Sequence, residues 1–116
     1  MSYKVKIQTF EGPFDLLVYL IENAQMSIYD MEISSITEQY LEYIRTMREM
    51  DVNVATEFMV LASSLIEIKS KMILPRINAA GEMTVEDDPR TELVTRLLEY
   101  KRFKKAAEIL QEQEER

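Results

Sequence analysis

The segment Phe10-Glu11-Gly12-Pro13-Phe14-Asp15-Leu16-Leu17 leaves this chain few choices, because its Gly-Pro step runs into an apolar stretch from Leu16 to Ile21. Gly12 reads as a corner, since glycine adopts backbone angles closed to other residues. Pro13 suits the first helical position, where its missing N–H has no intrahelical partner to lose. A helix that is apolar nearly all round must be covered on more than one side, so the rest of the chain has to wrap it. Only two glycines and three prolines, with eight methionines, stand among the 116 residues. That composition predicts helices almost throughout.

The first helix is predicted from Pro13 to about Ala24. Residues 26–33 read as an extended connection anchored by Ile28, Met31 and Ile33. Ser35 followed by Glu38 is a capping box, so a second helix should start there. Its apolar stripe is Ile36, Tyr40, Ile44 and Met47, with Leu41 and Tyr43 on the flanks. Asp51 or Asn53 can cap a third helix, which runs through Leu74 and stops at Pro75. A polar stretch follows to Asp88, which supplies an N-cap, and Pro89 then opens a fourth helix reaching about Gln111. Ahead of all this, Tyr3, Val5 and Ile7 alternate with Lys4, Lys6 and Gln8 as in a short strand, with Met83-Thr84-Val85 as a candidate mate. The expected fold is mainly α: a small helical bundle with a short N-terminal strand over residues 1–75, a flexible acidic linker over 76–88, and one further long helix within 89–116.

Catalysis finds little footing. The chain has no His and no Cys, which removes histidine-based triads, thiolate nucleophiles, disulfides and the usual zinc motifs. Two glycines cannot build a phosphate-cradling loop. Glu86, Asp87 and Asp88 are the densest acidic group, and solvation plus helix capping explains them better than a metal. No cofactor is expected. The apolar run after Pro13 is too short for a membrane span, and no leader segment is evident, so a soluble chain is expected. A net charge of -7 argues against bulk attraction to nucleic acid or anionic lipid. Residues 96–105 run the other way: Arg96, Lys101, Arg102, Lys104 and Lys105 stand against Glu99 alone.

The third helix carries the sharper signal. At 100° per residue, Phe58, Leu61, Ala62, Leu65, Ile68 and Met72 form one stripe. Ala55, Met59, Ile66 and Ile73 form a second, with the small residues Ala62, Ser63 and Ser70 near it. Periodicity leaves open which stripe faces the core. The fourth helix repeats the excess, with Leu93, Leu97, Tyr100 and Phe103 on one broad side and Val94 and Leu98 on another. More apolar surface than one seam needs marks an interaction module. Two rivals stand beside that reading: a helical DNA-binding module using residues 96–105, and a homodimeric structural bundle.

Several separated blocks agree with one known family. The opening octapeptide is followed by Ser27-Ile28-Tyr29-Asp30-Met31-Glu32-Ile33, by Ile36-Thr37-Glu38-Gln39-Tyr40-Leu41, and by Ile68-Lys69-Ser70-Lys71-Met72-Ile73-Leu74-Pro75. Asp88-Pro89-Arg90-Thr91-Glu92-Leu93 and Leu98-Glu99-Tyr100-Lys101-Arg102-Phe103 complete the series. In that order the chain resembles the segregation and condensation protein A (ScpA) family, the bacterial kleisins; Phe14 departs from the leucine of that family.

The resemblance implies a non-enzymatic subunit of the bacterial SMC–ScpA–ScpB condensin, cytoplasmic and nucleoid-associated, touching DNA only through the complex. It implies that residues 1–75 add helices to the coiled-coil neck of one SMC head, through Ala55, Met59, Ile66, Ser70 and Ile73. It implies that the fourth helix begins the segment held by a ScpB dimer, through Leu93, Leu97, Leu98, Tyr100 and Phe103. The family's C-terminal winged-helix domain, which binds the other head, has no counterpart here. The chain is therefore expected to behave as an N-terminal fragment that cannot close a ring alone.

Overall fold

A computed structural model describes residues 10–74, 80–81 and 88–114. The strand expected over Tyr3–Ile7, its candidate mate over 83–85 and most of the acidic linker lie outside the described residues. Within them the chain forms four helices: α1 (Pro13–Asn23), α2 (Ile33–Glu49), α3 (Thr56–Ile73) and α4 (Thr91–Glu114).

Helix α1 is the axis of the fold. Leu16, Leu17, Val18, Leu20 and Ile21 are all buried, and α1 packs against each of the other three helices. Pro13 does take the first helical position. Gly12 is a different matter: its backbone is extended (φ 179°), and a side chain there would meet nothing within 4 Å. Any residue adopts that conformation, so the corner does not need glycine. Asp15 in the first turn accepts the Glu11 N–H at 3.2 Å, satisfying a donor just outside the helix start.

Both α1 and α2 end in Schellman motifs. Gln25 (φ 58°) donates to Glu22 O while Met26 donates to Ile21 O; Asp51 (φ 60°) donates to Arg48 O while Val52 donates to Met47 O. Asp51 thus closes α2 instead of opening α3, whose N-cap is Ala55, without a side-chain cap. The capping box at Ser35 does not form either. Helix α2 begins two residues earlier, at Ile33, and the Ser35 hydroxyl accepts from Gln39 Nε2 within the helix. The early start aligns Ile33 with Ile36, Tyr40 and Ile44 on one buried face. Burying an isoleucine is worth about 1.5–3 kcal/mol, more than the ~1 kcal/mol typical of a cap.

Helix α3 settles its own ambiguity. Phe58, Leu61, Ala62 and Leu65 are buried, Ile68 is half-buried, and the Met59–Ile66–Ile73 side faces out. The Tyr40 hydroxyl donates to Phe58 O at 2.8 Å inside the core, and Lys69 reaches Glu38 at 3.6 Å, so α2 grips α3 near both ends. Phe10 closes one end of the bundle through ring contacts with Tyr19 and Tyr43. Leu74, before Pro75, is extended, as the proline ring requires of its predecessor.

The Asp88 carboxylate accepts the Arg90 N–H at 2.9 Å and the Asp88 carbonyl accepts the Thr91 N–H, so Asp88 organises a turn at the entry to α4; the helix itself starts at Thr91, and Pro89 lies in that turn instead of at the first helical position. Arg90 also donates to the Met31 carbonyl at 2.6 Å, bolting that entry to the α1–α2 connection. Leu93 and Leu97 are then buried against the bundle, whereas every described residue from Lys101 onward is exposed. The first half of α4 belongs to the core, and its second half projects from it.

Candidate functional site

Among the described residues two helix faces carry exposed apolar strips, and each can be built from its residues. On α3, Met59, Ile66 (47% exposed) and Ile73 (69% exposed) recur every seven residues. A seven-residue repeat of apolar positions is the geometry by which a second helix packs along the first in a left-handed supercoil. Ser63 and Ser70 lie between them, and their hydroxyls donate back to Met59 O (3.3 Å) and Ile66 O (3.0 Å). Both donors are already satisfied, so covering this face strands no polar hydrogen. Nearby charges are paired within the chain: Lys71 with Glu67 at 3.1 Å, and Lys69 with Glu38. The result is a solvent-exposed, mostly apolar strip with small residues that permit close approach.

All five residues expected to meet a partner on α3 (Ala55, Met59, Ile66, Ser70 and Ile73) are exposed, on the side turned from the core. The five expected on α4 divide. Leu93 and Leu97 are inside the core, Leu98 and Tyr100 are half-buried with the Tyr100 ring 6.5 Å from that of Phe14, and Phe103 is 72% exposed. Beyond Phe103, Leu110 is also exposed, with Ala106 and Ala107 between them on one side of the helix. This i, i+3, i+4, i+7 set is a second strip, turned away from α1. Sequence reasoning missed Leu110, although its seven-residue spacing from Phe103 was there to be read.

Two of the five basic residues of α4, Lys101 and Lys104, are paired with α1. Lys104 Nζ lies 2.9 Å from the Asp15 carboxylate, and Lys101 lies 3.2 Å from Glu22. Arg96 pairs with Glu92 one turn back. Burial pushes the Asp15 carboxyl up, but the Lys104 ammonium, the Glu11 N–H and the neighbouring Tyr100 hydroxyl outweigh it and hold its pKa below the usual value. The same carboxylate raises Lys104. The buried Tyr100 hydroxyl lies beside this pair without completing a well-directed hydrogen bond, and burial followed by the Asp15 charge pushes its pKa up to about 12. These groups form a latch between the two helices. Among the described residues no cluster of acidic side chains could hold a metal ion, and no helix is long and apolar enough to cross a membrane.

Exposed apolar strips of this kind are the usual signature of surfaces that pack against another helix. Comparison with known proteins gives the family. Residues 20–116 match the model of segregation and condensation protein ScpA. Curated proteins named segregation and condensation protein A are 48% identical in Bacillus velezensis (99% of this chain, 47% of that protein) and 53% identical in a Thermoanaerobacter species (95% and 46%). The Bacillus subtilis protein of that name is 47% identical over 98% of this chain and 47% of its own length. The chain belongs to the segregation and condensation protein ScpA family, and it spans about half the length of the curated relatives it matches.

Proposed function

We propose that this chain is the head-docking part of a kleisin subunit: the Met59–Ile66–Ile73 strip of α3 adds a helix to the coiled-coil neck of an SMC ATPase head. The outer half of α4 begins the segment that recruits ScpB, with Phe103 and Leu110 making the contact and Leu93 and Leu97 setting the helix on its seat. In the full-length protein the two attachments form part of a bridge between SMC heads that serves chromosome condensation and segregation in the cytoplasm, at the nucleoid. Any ATP hydrolysis resides in the SMC partner.

The observation that carries this reading is the heptad spacing of the exposed α3 strip, together with its self-satisfied serines. A coiled coil offers the complementary seam, and a free helix face of this pattern extends it by knobs-into-holes packing. Direct DNA binding is less well supported, because Lys101, Lys104 and Arg96 are engaged with carboxylates of the same chain. Ile66→Glu tests the proposal. Covering a charge at that position costs several kcal/mol, enough to remove capture by an SMC head carrying its neck at micromolar concentrations. ScpB capture is expected to persist in that variant and to fall with Phe103→Glu. If Ile66→Glu still bound the SMC head like the parent, α3 would not be the docking helix. Light scattering of the free chain separates the remaining alternative, since a dimer dispersed by Ile66→Glu would assign the strip to a second copy.

A further inference from the structure

A third surface lies apart from both strips. Where α4 leaves the bundle, it and α1 enclose an open trough of about 610 Å³. Its apolar lining comes from Val18 on α1, Leu98 on α4 and the Tyr29 ring, 63% exposed, on the α1–α2 connection. Four cations stand along it against Glu22 and Glu108 on its walls and Asp15 beneath, an excess of one positive charge. Lys101 is engaged with Glu22, and Lys104 with the Asp15 carboxylate beneath. Arg102 and Lys105, both exposed, line it and hold no ion pair among the described residues.

We propose that this trough docks a short acidic protein segment bearing an apolar or aromatic anchor. Charge complementarity selects the acidic partner: this is a local concentration of positive charge on a chain of net charge -7, so an acidic segment is drawn here and repelled elsewhere. The Val18–Leu98–Tyr29 lining gives that segment a place to bury one side chain, which a phosphate backbone would leave unused. Glu22 and Glu108 on the walls disfavour a continuous polyanion such as DNA. The proposal does not depend on the SMC and ScpB assignments.

The test uses the whole chain and a fluorescein-labelled peptide of about twelve residues, rich in Glu with one central Phe, followed by fluorescence anisotropy at low salt. Saturable binding is expected, weakened at least tenfold in the Arg102→Glu/Lys105→Glu double variant, which leaves both α1–α4 ion pairs intact. Backbone amide NMR shifts on peptide addition should centre on Tyr29, Leu98 and Arg102. Replacing the peptide's Phe by Ser should also weaken binding. Equal binding by the Ser peptide, unchanged affinity in the double variant, or tighter binding of a DNA duplex at the same residues would each overturn the proposal. An unchanged circular dichroism melt of the double variant separates lost binding from lost folding.

Discussion

Helices α3 and α4 both carry more apolar surface than a single seam uses, yet they divide it along different axes. Helix α3 divides by face through most of its length: Phe58, Leu61 and Leu65 turn inward while Met59 and Ile66 turn outward, and only in the last turn is Met72 of the inner stripe exposed along with Ile73. Helix α4 divides by length: Leu93 and Leu97 are in the core, and about two and four turns later Phe103 and Leu110 are in solvent. A helical wheel resolves the first kind of division because it records angle. It is blind to the second, because where a helix leaves its bundle depends on where the supporting helix stops. Helix α4 keeps contact with α1 through the Lys101–Glu22 and Lys104–Asp15 ion pairs, and every described residue beyond them is exposed.

The largest effect should come from α3. Leu65→Glu places a carboxylate at a fully buried position, costing several kcal/mol out of the roughly 5–15 kcal/mol that hold a domain together. We expect that variant to be unfolded by circular dichroism, while Ile66→Glu, one residue on, melts within a few degrees of the parent. Comparable loss in both would erase the division by face. On α4, Leu97→Ala should cost about 2–5 kcal/mol in urea denaturation, as a cavity in the core does, and Phe103→Ala about 0.5 kcal/mol or less. Equal costs would mean that the outer half of α4 is seated like the inner half.

The smallest effect concerns the latch that marks the boundary. The pKa of Asp15 is lowered by folding, so its contribution is present above the ordinary carboxylate value of 3.8 and is lost as pH falls through the lowered one. Lys104 is raised, so its contribution is lost only as pH climbs above 10.5. Between those limits the latch should be insensitive to pH. Lys104→Gln is expected to cost about 1 kcal/mol at neutral pH, between an exposed pair and a buried one. Asp15→Asn should reduce the stability lost below pH 4; an unaltered acid limb in the denaturation curves would remove Asp15 from the latch.

Much of this was legible beforehand, and the exceptions share a cause. The extents of the four helices follow from periodicity, Pro13, Pro75 and Asp88, with boundaries shifted by a few residues. The caps proposed at Ser35 and Asp51 failed because a cap is a local preference of about 1 kcal/mol, overridden when shifting a helix start buries an isoleucine or closes a Schellman turn. Gly12 was read for a freedom that its extended backbone does not use. The outward face of α3 was visible as one of two stripes, but choosing between them required the position of Tyr40, which is tertiary information. The contact residues expected on α4 mixed Leu97, which is spent on internal packing, with Phe103, which stays exposed, because periodicity does not record where the helix leaves the core.

The Tyr40 hydroxyl bond to Phe58 O has a consequence for the energetics of assembly. It grips the first turn of α3 at the residue just before Met59, where the outward strip begins. The azimuth of that strip is therefore set during folding, before any partner arrives. A helix still free to roll about its axis would surrender that freedom on association, at a cost in entropy that weakens the complex. Here the orientation is preorganised, so docking along the strip would approach the joining of two rigid bodies. Its calorimetric mark would be a negative heat-capacity change from apolar burial, without the added penalty of coupled folding.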